Sequence, residues 1–546
     1  MSHSNNLHPI TQCPQSLSHV EWLGQKEAQE KYGPNTMATQ RHIAGAFKVS
    51  DHKDIPKILQ WAFEADASLQ AISSGKNWGY GSALPTSDTI PIYILDLSGL
   101  KSILKIDTDL GIVTLQAGVT QHDLSEFLRS NNYDFMVPVT GAGPHCSIVG
   151  NAIERGYGIT PYTDHFGAVT QLKAYLPNGK HYSSSLDVLD HSEDKLVDHS
   201  FKWKLGPYLD GLFTQSNFGI VYEMTIRLAQ RPKAFESFYI QFSHDSDLEL
   251  ALELTKKILH DYEGILGAIN ILDRRRILSM VAQNPNSKDL HQNMSDDQIS
   301  QLGRAYKIPA WLMVGSIYGT KAVVKAVRKD IKNRVTKHCH RILFSNGLLL
   351  KFAEKMFKFL PARFLEKPRA QLEGMKEGIE IMLGIPNQVA LPLAYWRNPR
   401  INPNKKESVL NPGSDSCGLM WYAPLVVSKS QNIRSFVNFV RQVCPKYNIE
   451  PLITLTNLRH DLTDSTIPIL FNANDPQAVQ DAQACLDELV GSGLKHGYVP
   501  YRMNIDQQLK LLDPEALCWE LAKSIKDIID PKNILNPGRY QAMKLK

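Results

Sequence analysis

The chain has 546 residues, of which 43% are hydrophobic and 21% charged, and its formal net charge is +5. This length is too great for one compact core, so two or more domains are expected. The excess of positive charge is small, and no basic strip is interleaved with aromatic residues, so we expect no nucleic-acid partner.

The cysteines indicate a reducing compartment. There are seven of them, scattered along the chain and never in a C-x-x-C pair, which favours free thiols over a disulfide framework. The first residues do not combine a basic segment with an apolar one, and no apolar run reaches the ~18 residues of a membrane span. We therefore expect a cytoplasmic protein.

The first part of the chain alternates helix-like and strand-like segments. Residues 1–40 are polar and predict a loosely held N-terminal lead-in. After this lead-in, apolar residues at helical spacing predict a helix at 52–65. Short apolar runs and a second helical pattern then predict strands at 68–72, 90–97 and 111–117 and a helix at 121–129. This alternation is typical of an α+β domain.

The pattern changes after residue 233, where longer helix-like segments alternate with strand-like runs. We predict helices at 247–260, with Ser246 as the N-cap, and at 321–332. Strands are predicted at 311–317 and 419–426. Long helices combined with a sheet would form a second α+β domain.

One segment of this second part combines an apolar stripe with lysines. The stripe falls at helical spacing and consists of Leu349, Phe352, Ala353, Met356 and Leu360. Lys351, Lys355 and Lys358 lie between these residues. A basic amphipathic helix either packs on its own protein or lies on a membrane surface. A weak membrane-surface contact through residues 348–365 therefore stays open.

Two glycine-rich stretches carry the strongest functional signal. The first, residues 73–82, reads SSGKNWGYGS, and the second, residues 150–165, reads GNAIERGYGITPYTDH. Dense glycines between apolar runs let the backbone approach a ligand closely, and their N–H groups can form a nest for a pyrophosphate. Two ordinary turn-rich loops are the alternative interpretation.

Other common cofactor and metal patterns are not indicated. No GxGxxG motif follows a predicted strand, so a Rossmann site for NAD is not predicted. The run His338-Cys339-His340 has no second ligand pair at the spacing that a zinc site needs. We therefore expect no bound metal.

Both glycine-rich stretches resemble the FAD-binding segments of the vanillyl-alcohol oxidase and p-cresol methylhydroxylase family. Blocks at residues 206–221, at Tyr501-Arg502 and at residues 533–539 resemble further segments of this family. All the blocks occur in the family's order. Several ordered blocks are far more specific than one short motif.

The resemblance implies an α+β, two-domain flavoprotein that binds FAD. Residues 41–232 would form the FAD-binding domain and residues 233–500 an α+β substrate, or cap, domain. Residues 501–546 would return to the FAD-binding domain. The positions that match the family's cofactor-binding blocks are Ser74, Gly75, Asn77, Gly79, Gly81, Ser82, Gly150, Asn151, Arg155, Gly156, Gly158, Ile220, Val221 and Arg539.

The family's members differ in how they attach FAD. The histidine that holds the flavin in vanillyl-alcohol oxidases matches Leu419, which cannot form such a bond. The tyrosine that makes the link in p-cresol methylhydroxylases is matched, slightly displaced, by Tyr395. Tyr395 is therefore either the cofactor tether or an ordinary pocket residue.

The resemblance also assigns catalytic residues. Family members that oxidise 4-alkylphenols bind them with two tyrosines and an arginine, which match Tyr80, Tyr501 and Arg502. A guanidinium and two phenolic donors lower the pKa of a buried phenol, so the substrate would bind as a phenolate. Its oxygen pushes electrons toward the para carbon, so that a hydride passes from the benzylic carbon to flavin N5 and leaves a quinone methide.

The family's acidic groups near the flavin and the substrate have no clear counterpart at residues 135–140 or 451–453. The main hypothesis is an FAD-dependent oxidoreductase that acts on a 4-substituted phenol or a related aromatic alcohol. One alternative is oxidation of a bulkier, non-phenolic alcohol in secondary metabolism. The other is a non-catalytic binding protein with a flavin fold.

The expected partners follow from the main hypothesis. They are a small-molecule substrate, phenolic in character, and an electron acceptor that is either oxygen or a redox carrier. No C-x-x-C-H haem motif occurs in the chain, so a haem carrier would be a separate protein. Assembly into a homo-oligomer stays open.

Overall fold

The computed structural model describes residues 12–86, 91–286, 289–346, 366–398 and 409–542. Within these residues helices and strands alternate, and the strands form sheets of four, five, two and nine strands. The expected α+β class is confirmed. The predicted amphipathic segment at 348–365 lies outside the described residues.

The first sheet has four strands in the order β1-β2-β4-β3. They are β1 (Glu21–Leu23), β2 (Gly45–Lys48), β3 (Ser68–Ile72) and β4 (Ile92–Asp96). β2 and β3 both run parallel to β4. The accompanying helices are α1 (Gln25–Tyr32) and α2 (Ile55–Glu64). α2 buries Ile55, Ile58, Leu59 and Ala62, which confirms the predicted helical face.

The N-terminal lead-in is better ordered than its polar composition predicts. β1 pairs antiparallel with β2, and Trp22 packs on Phe47 with ring centroids 4.8 Å apart. Leu17 and Met37 are fully buried. The expectation of a loosely held segment is therefore wrong for residues 12–40, because a few apolar residues anchor an otherwise polar stretch.

The second sheet is antiparallel, in the order β5-β6-β10-β8-β9, and a separate ladder joins β7 to β11. The strands are β5 (Ile103–Asp107), β6 (Ile112–Gln116), β7 (Phe135–Met136), β8 (Val169–Tyr175), β9 (His181–Tyr182), β10 (Ile220–Arg227) and β11 (Ala229–Gln230). The helices are α3 (Gln121–Ser130), α4 (Ile148–Ile153), α5 (Ser185–Leu189) and α6 (Leu196–Ser200). One apolar core joins this sheet to the first.

The largest sheet has the order β15-β12-β14-β13-β18-β19-β17-β20, and β16 also pairs with β19. Its strands are β12 (Ala234–Phe242), β13 (Ile269–Asp273), β14 (Trp311–Gly319), β15 (Arg341–Ser345), β16 (Cys417–Tyr422), β17 (Pro424–Val427), β18 (Thr454–Asn457), β19 (Leu462–Asn472) and β20 (Val499–Pro500). The helices are α7 (Leu248–Asp261), α8 (Arg274–Val281), α9 (Asp296–Tyr306), α10 (Lys321–Val335), α11 (Glu366–Met382), α12 (Ser430–Val443) and α13 (Pro476–Lys495). Among the described helices, none is long and apolar enough to cross a bilayer.

The N-terminus of α7 differs from its prediction. A 3-10 turn at Asp245–Asp247 precedes the helix, and Ser246 lies inside this turn rather than at an N-cap. The Asp247 carboxylate accepts a hydrogen bond from the His244 N–H at 2.9 Å. This capping box makes the turn begin earlier than the helical pattern indicates.

The strand predicted at 419–426 is two strands, β16 and β17. The Ala423 carbonyl between them accepts a hydrogen bond from the Tyr501 N–H at 3.3 Å. β16 pairs with the second half of β19 and β17 with the first half. The pairing with β19 is therefore interrupted at Ala423, the residue that Tyr501 contacts. A contact that is distant in sequence therefore divides one apolar run.

The C-terminal residues return to the first sheet after two further helices, α14 (Ile505–Leu511) and α15 (Leu517–Ile529). The Leu69 N–H donates to the Ile534 carbonyl, and the Asn536 N–H donates to the Leu69 carbonyl, both at 2.7 Å. We call residues 501–542 the C-terminal return. It brings Arg502 and Arg539 beside the two glycine-rich loops.

A buried ion pair fastens α15 within this return. The side chains of Lys526 and Asp530 are each 1% exposed, and Nζ lies 2.6 Å from the carboxylate. Nζ also donates to the carbonyls of Asn217 at 2.7 Å and Leu535 at 2.9 Å. Burial lowers the pKa of Lys526 to about 8, although Asp530 stabilises the charged form.

Lys526→Met should destabilise the protein strongly, because the Asp530 carboxylate would remain buried without its cation. Breaking a buried pair in this way costs about 3–5 kcal/mol. Lys523→Met is the matched control on the exposed side of α15, where the pair with Asp527 is solvated, and should cost at most ~1 kcal/mol. Thermal unfolding followed by circular dichroism compares the two, and equal melting temperatures would contradict the prediction.

Candidate cofactor and substrate site

A cavity of about 380 Å³, called the central cavity below, is lined by the four-stranded, five-stranded and nine-stranded sheets and by the C-terminal return. Most of its lining comes from residues 71–83, 140–157, 213–221, 390–394, 412–423 and 501–539. Both glycine-rich loops therefore line the same cavity as residues 390–394 and 412–423, which belong to the predicted cap domain.

The first glycine-rich loop leaves β3 and turns along the cavity wall. Gly75, Gly79 and Gly81 have φ angles of 66°, 80° and 65°, a region that favours glycine. The Ser74 hydroxyl accepts a hydrogen bond from the Ser147 N–H at 2.9 Å. This bond ties the first loop to the start of the second.

The second loop begins with α4. The Ser147 hydroxyl caps this helix, accepting from the Gly150 N–H at 3.0 Å and donating to the Ala117 carbonyl at 2.7 Å. A Cβ at Gly150 would overlap the Ser73 hydroxyl. The absence of a Cβ at Gly150 therefore lets the Ser73 side chain pack directly against the backbone of the second loop.

Most of the predicted cofactor residues line the central cavity, namely Ser74, Gly75, Asn77, Ser82, Gly150, Asn151, Gly156, Ile220, Val221 and Arg539. The predicted catalytic residues Tyr80, Tyr501 and Arg502 line it as well. The structure does not bring the remaining predicted residues to the cavity, namely Gly79, Gly81, Arg155, Gly158 and Tyr395.

The three glycines outside the lining allow close packing within the protein. A Cβ at Gly79 would overlap the Trp421 ring, and one at Gly81 would lie 2.8 Å from Met37 Sδ. A Cβ at Gly158 would lie 2.6 Å from a backbone carbonyl. The motif requires glycine at all these positions, but only some of them face the ligand space.

Arg155 turns away from the central cavity. Its Nε and Nη2 donate to the Thr214 hydroxyl at 3.1 and 3.0 Å. It lines a second cavity, of about 210 Å³, beside α15. The Arg155 backbone has a φ of 53°, in the left-handed region that residues other than glycine seldom adopt.

Tyr395 is 4% exposed, and its hydroxyl donates to the Asp415 carboxylate. Its neighbours Leu393 and Ala394 line the central cavity, but Tyr395 does not. Burial and the Asp415 hydrogen bond raise the pKa of the hydroxyl above its ordinary value. A hydroxyl held in this way is not placed to attach a ligand, so the structure does not support the tether role.

Arg502 forms the centre of an aromatic cluster at the cavity wall. Its guanidinium carbon lies 4.9 Å from the centroid of the Tyr80 ring and 5.4 Å from that of Tyr501. A third ring, Tyr157, lies 5.8 Å from Tyr501. Nη1 of Arg502 donates to Asn77 Oδ1 at 3.4 Å, while the buried Nε has no hydrogen-bond partner among the described residues.

The cluster changes the pKa values of its members. Burial raises the pKa of Tyr80 and Tyr157 well above the ordinary value and that of Tyr501 to about 12. Burial opposes the charge on Arg502, but the surrounding tyrosines hold its pKa above the ordinary value. Near neutral pH the tyrosines are therefore neutral donors and Arg502 is a cation.

Asp464, an acidic residue beside this cluster, was not predicted. It is 5% exposed and lies in β19 opposite Thr456. Burial raises the pKa of Asp464 well above its usual range, although Arg502 opposes the shift. Its Oδ1 has no hydrogen-bond partner among the described residues. The only signal in the sequence is a lone carboxyl within a strand-like run.

Glu154, which lies in the second glycine-rich loop, was also missed. Its backbone carbonyl accepts a hydrogen bond from Arg502 Nη2, and its carboxylate pairs with Arg539 Nη2. One residue thus holds both arginines of the C-terminal return. A charged residue directly before Arg155 was a weak signal of such a role.

Comparison with known proteins agrees with this arrangement. A family model described as an FAD binding domain matches residues 43–185, which include both glycine-rich loops. The 1'-carboxy-chondrochloren decarboxylase of Chondromyces crocatus is 28% identical over 515 residues, or 92% of each chain. The flavoprotein subunit of 4-cresol dehydrogenase (hydroxylating) from Pseudomonas putida is 26% identical over 92% of this chain and 86% of its own.

Two solved structures share the fold. A structure of p-cresol methylhydroxylase with bound substrate has a TM-score of 0.81, at 24% identity over 96% of this chain and 95% of that one. The 4-ethylphenol oxidase of Gulosibacter chungangensis, in its isoeugenol complex, has a TM-score of 0.82, at 20% identity over 95% and 94%. The protein is an FAD-linked enzyme, which removes the non-catalytic alternative. The chain carries an FAD binding domain and is similar over most of its length to FAD-dependent oxidoreductases of the vanillyl-alcohol oxidase and p-cresol methylhydroxylase family.

Proposed function

We propose that the protein oxidises a 4-substituted phenol, or a related aromatic alcohol, which it binds as a phenolate against Arg502. The supporting observation is that a buried guanidinium and the hydroxyl-bearing rings of Tyr80 and Tyr501 meet at one wall of the central cavity. These groups come from the first glycine-rich loop and from the C-terminal return.

The central cavity fits FAD. The two loops bring backbone without a Cβ to the cavity at Gly75, Gly150 and Gly156, which lets a pyrophosphate approach the main chain closely. Ser74 and Asn151 add polar side chains, and Arg539, whose guanidinium pairs with the Glu154 carboxylate, lines the same cavity. Bound FAD supplies the hydride acceptor, and the protein supplies binding and orientation.

Arg502 and the tyrosines would act on the phenol in two ways. A buried cation favours the ionised form of a neighbouring phenol, so the substrate pKa falls. Tyr80 and Tyr501 keep their protons because their own pKa values are raised, so they can donate hydrogen bonds to the phenolate oxygen. The negative charge of the phenolate in turn offsets the cost of burying Arg502.

Two relatives are named for para-substituted phenols, 4-cresol and 4-ethylphenol, and this supports the proposal. The Chondromyces crocatus relative is named as a decarboxylase of a carboxylated compound. That name favours a second candidate, a bulkier substrate of secondary metabolism on the same flavin site. For either substrate, we propose that oxygen or a redox carrier takes the electrons from the reduced flavin. Admitting air to the reduced enzyme distinguishes these two acceptors, because only an oxidase is reoxidised rapidly by oxygen.

The proposal is tested by adding 4-ethylphenol to the flavin-loaded enzyme without oxygen. We expect the flavin absorbance to bleach. Arg502→Ala should lower the apparent second-order rate constant of bleaching by at least about tenfold, because a hydrogen bond to a charged group contributes about 1.5–3 kcal/mol. Arg502→Lys keeps the charge and should recover part of the loss.

Flavin content is measured in each preparation, so that loss of cofactor is separated from loss of phenol binding. An Arg502→Ala enzyme that carries its full complement of flavin and reacts at the wild-type rate would contradict the role of Arg502. A wild-type enzyme that no 4-alkylphenol bleaches would overturn the proposed substrate class and favour the second candidate.

Asp464 should make phenol binding dependent on pH. Because burial raises its pKa, the carboxyl keeps its proton to a higher pH than an exposed aspartate does and becomes an anion as the pH rises further. The anion would then compete with the phenolate for Arg502, so affinity should fall on the alkaline side. Asp464→Asn should remove this fall, leaving the titration of the phenol itself. Spectral titration of the oxidised enzyme with phenol measures the affinity at each pH for the wild type and for Asp464→Asn. Superimposable affinity profiles for the two enzymes would count against the role of Asp464.

Tyr395→Phe should leave the mode of flavin attachment unchanged, because the Tyr395 hydroxyl is held by Asp415 outside the cavity lining. Acid precipitation followed by absorbance of the pellet and the supernatant measures the covalently attached fraction. Covalent flavin in the wild type that is lost in Tyr395→Phe would restore Tyr395 as the tether.

A further inference from the structure

Arg276 is a buried cation at the central cavity that the phenol-binding proposal does not use. It lies on α8, which directly follows β13 of the nine-stranded sheet, and its side chain lines the cavity. It thus approaches the ligand space from the cap region, whereas Arg502 and Arg539 approach from the C-terminal return.

The guanidinium of Arg276 has no anionic partner among the described residues. Its Nε donates to the Thr454 hydroxyl at 3.2 Å, and its buried Nη1 has no hydrogen-bond partner. The nearby Asp273 carboxylate is already engaged, accepting from the backbone N–H groups of Arg276 at 2.9 Å and Ile453 at 3.0 Å. Burial lowers the pKa of Arg276 to about 10, and Asp273 opposes the shift, so the side chain stays charged near neutral pH.

A polar surface of the sheet connects Arg276 with the phenol-binding cluster. Thr454 of β18 is paired with Thr466 of β19, so their side chains lie on one face of the sheet. The Thr466 hydroxyl lies 3.1 Å from that of Tyr157, and the Tyr157 ring lies 5.8 Å from that of Tyr501. Arg276 and Tyr501 are therefore connected by four successive side-chain contacts, and both line the central cavity.

Electrostatics indicates what would occupy the space beside Arg276. A charge held in a low-dielectric site is costly unless an opposite charge or several hydrogen bonds compensate it. A planar guanidinium matches a carboxylate, which can accept two parallel N–H bonds. One cation balances one negative charge, which favours a carboxylate over a doubly charged phosphate.

We propose that Arg276 binds a carboxylate on the substrate's para side chain, so that the substrate is a 4-hydroxyphenyl compound that carries a carboxylic acid. This inference rests on the proposed phenol oxidation and narrows its substrate class. The substrate is anchored at both ends, its phenolate at Arg502 and its carboxylate at Arg276. Neutral alkylphenols fill the phenol end but leave Arg276 without a counter-ion.

The test compares 3-(4-hydroxyphenyl)propanoate with its methyl ester and with 4-propylphenol, using the flavin-loaded enzyme without oxygen. The rate of flavin reduction against phenol concentration gives an apparent Kd and a limiting rate for each compound. We expect the wild type to bind the acid at least about tenfold more tightly than either neutral compound, since charged hydrogen bonds are the strong ones.

Arg276→Gln should raise the Kd of the acid at least about tenfold and leave that of 4-propylphenol within about twofold. Arg274→Gln is the matched control. It removes the same charge from the same helix, but Arg274 donates to the Pro309 carbonyl and does not line the cavity. This control should leave the Kd of both compounds unchanged.

If Arg276→Gln weakens the binding of the acid and of 4-propylphenol by the same factor, the inference is overturned, because Arg276 would then support the flavin or the fold. A wild type that binds the ester as tightly as the acid would overturn it too, even if the variant fails to fold. If no phenol of either charge reduces the flavin, the proposed function itself fails. If only the preference for the acid is absent, the proposed function stands without this inference.

Discussion

The contact of Glu154 with two arginines is the interaction on which the site depends. Glu154 lies in the second glycine-rich loop, and Arg502 and Arg539 lie in the C-terminal return. Its carbonyl and its carboxylate hold one guanidinium each, and both arginines lie hundreds of positions after Glu154 in the chain. Without this contact the return would still meet β3 through Leu69, but its cations would not be fixed at the cavity wall.

The central cavity has two chemically different sides. The glycine-rich loops present stretches of backbone that lack a Cβ, together with short polar side chains such as those of Ser74 and Asn77. Helix α8 and the C-terminal return present the arginines, whereas the tyrosines come from both sides, Tyr80 and Tyr157 from the loops and Tyr501 from the return. A ligand with a phosphate-rich part and an aromatic part matches this division, which is the chemistry expected for a flavin and an aromatic substrate.

Charge is distributed unevenly around the site. Arg276, Arg502 and Arg539 are all withdrawn from bulk water, while Asp464 is a carboxyl whose raised pKa favours its neutral form. Buried cations raise the affinity for anions and favour ionised forms of weak acids. The same electrostatics therefore suits a phenolate at Arg502 and a carboxylate at Arg276, whereas Arg539 is already paired with Glu154.

The sequence by itself determined the elements and motifs that local chemistry specifies. The helical face of α2, strand β3 and the two glycine-rich loops follow from spacing and from the need for residues without a Cβ, and Tyr80, Tyr501 and Arg502 follow from the family's blocks. Only the tertiary structure decided which motif residues face the cavity. Arg155 and Tyr395 match the motifs but turn to Thr214 and Asp415, whereas Glu154, Asp464 and Arg276 reach the site from positions that no motif marks. The direction of a side chain depends on which strands and loops pack against each other. These tertiary contacts join residues hundreds of positions apart, and the spacing of residues along the chain carries no information about them.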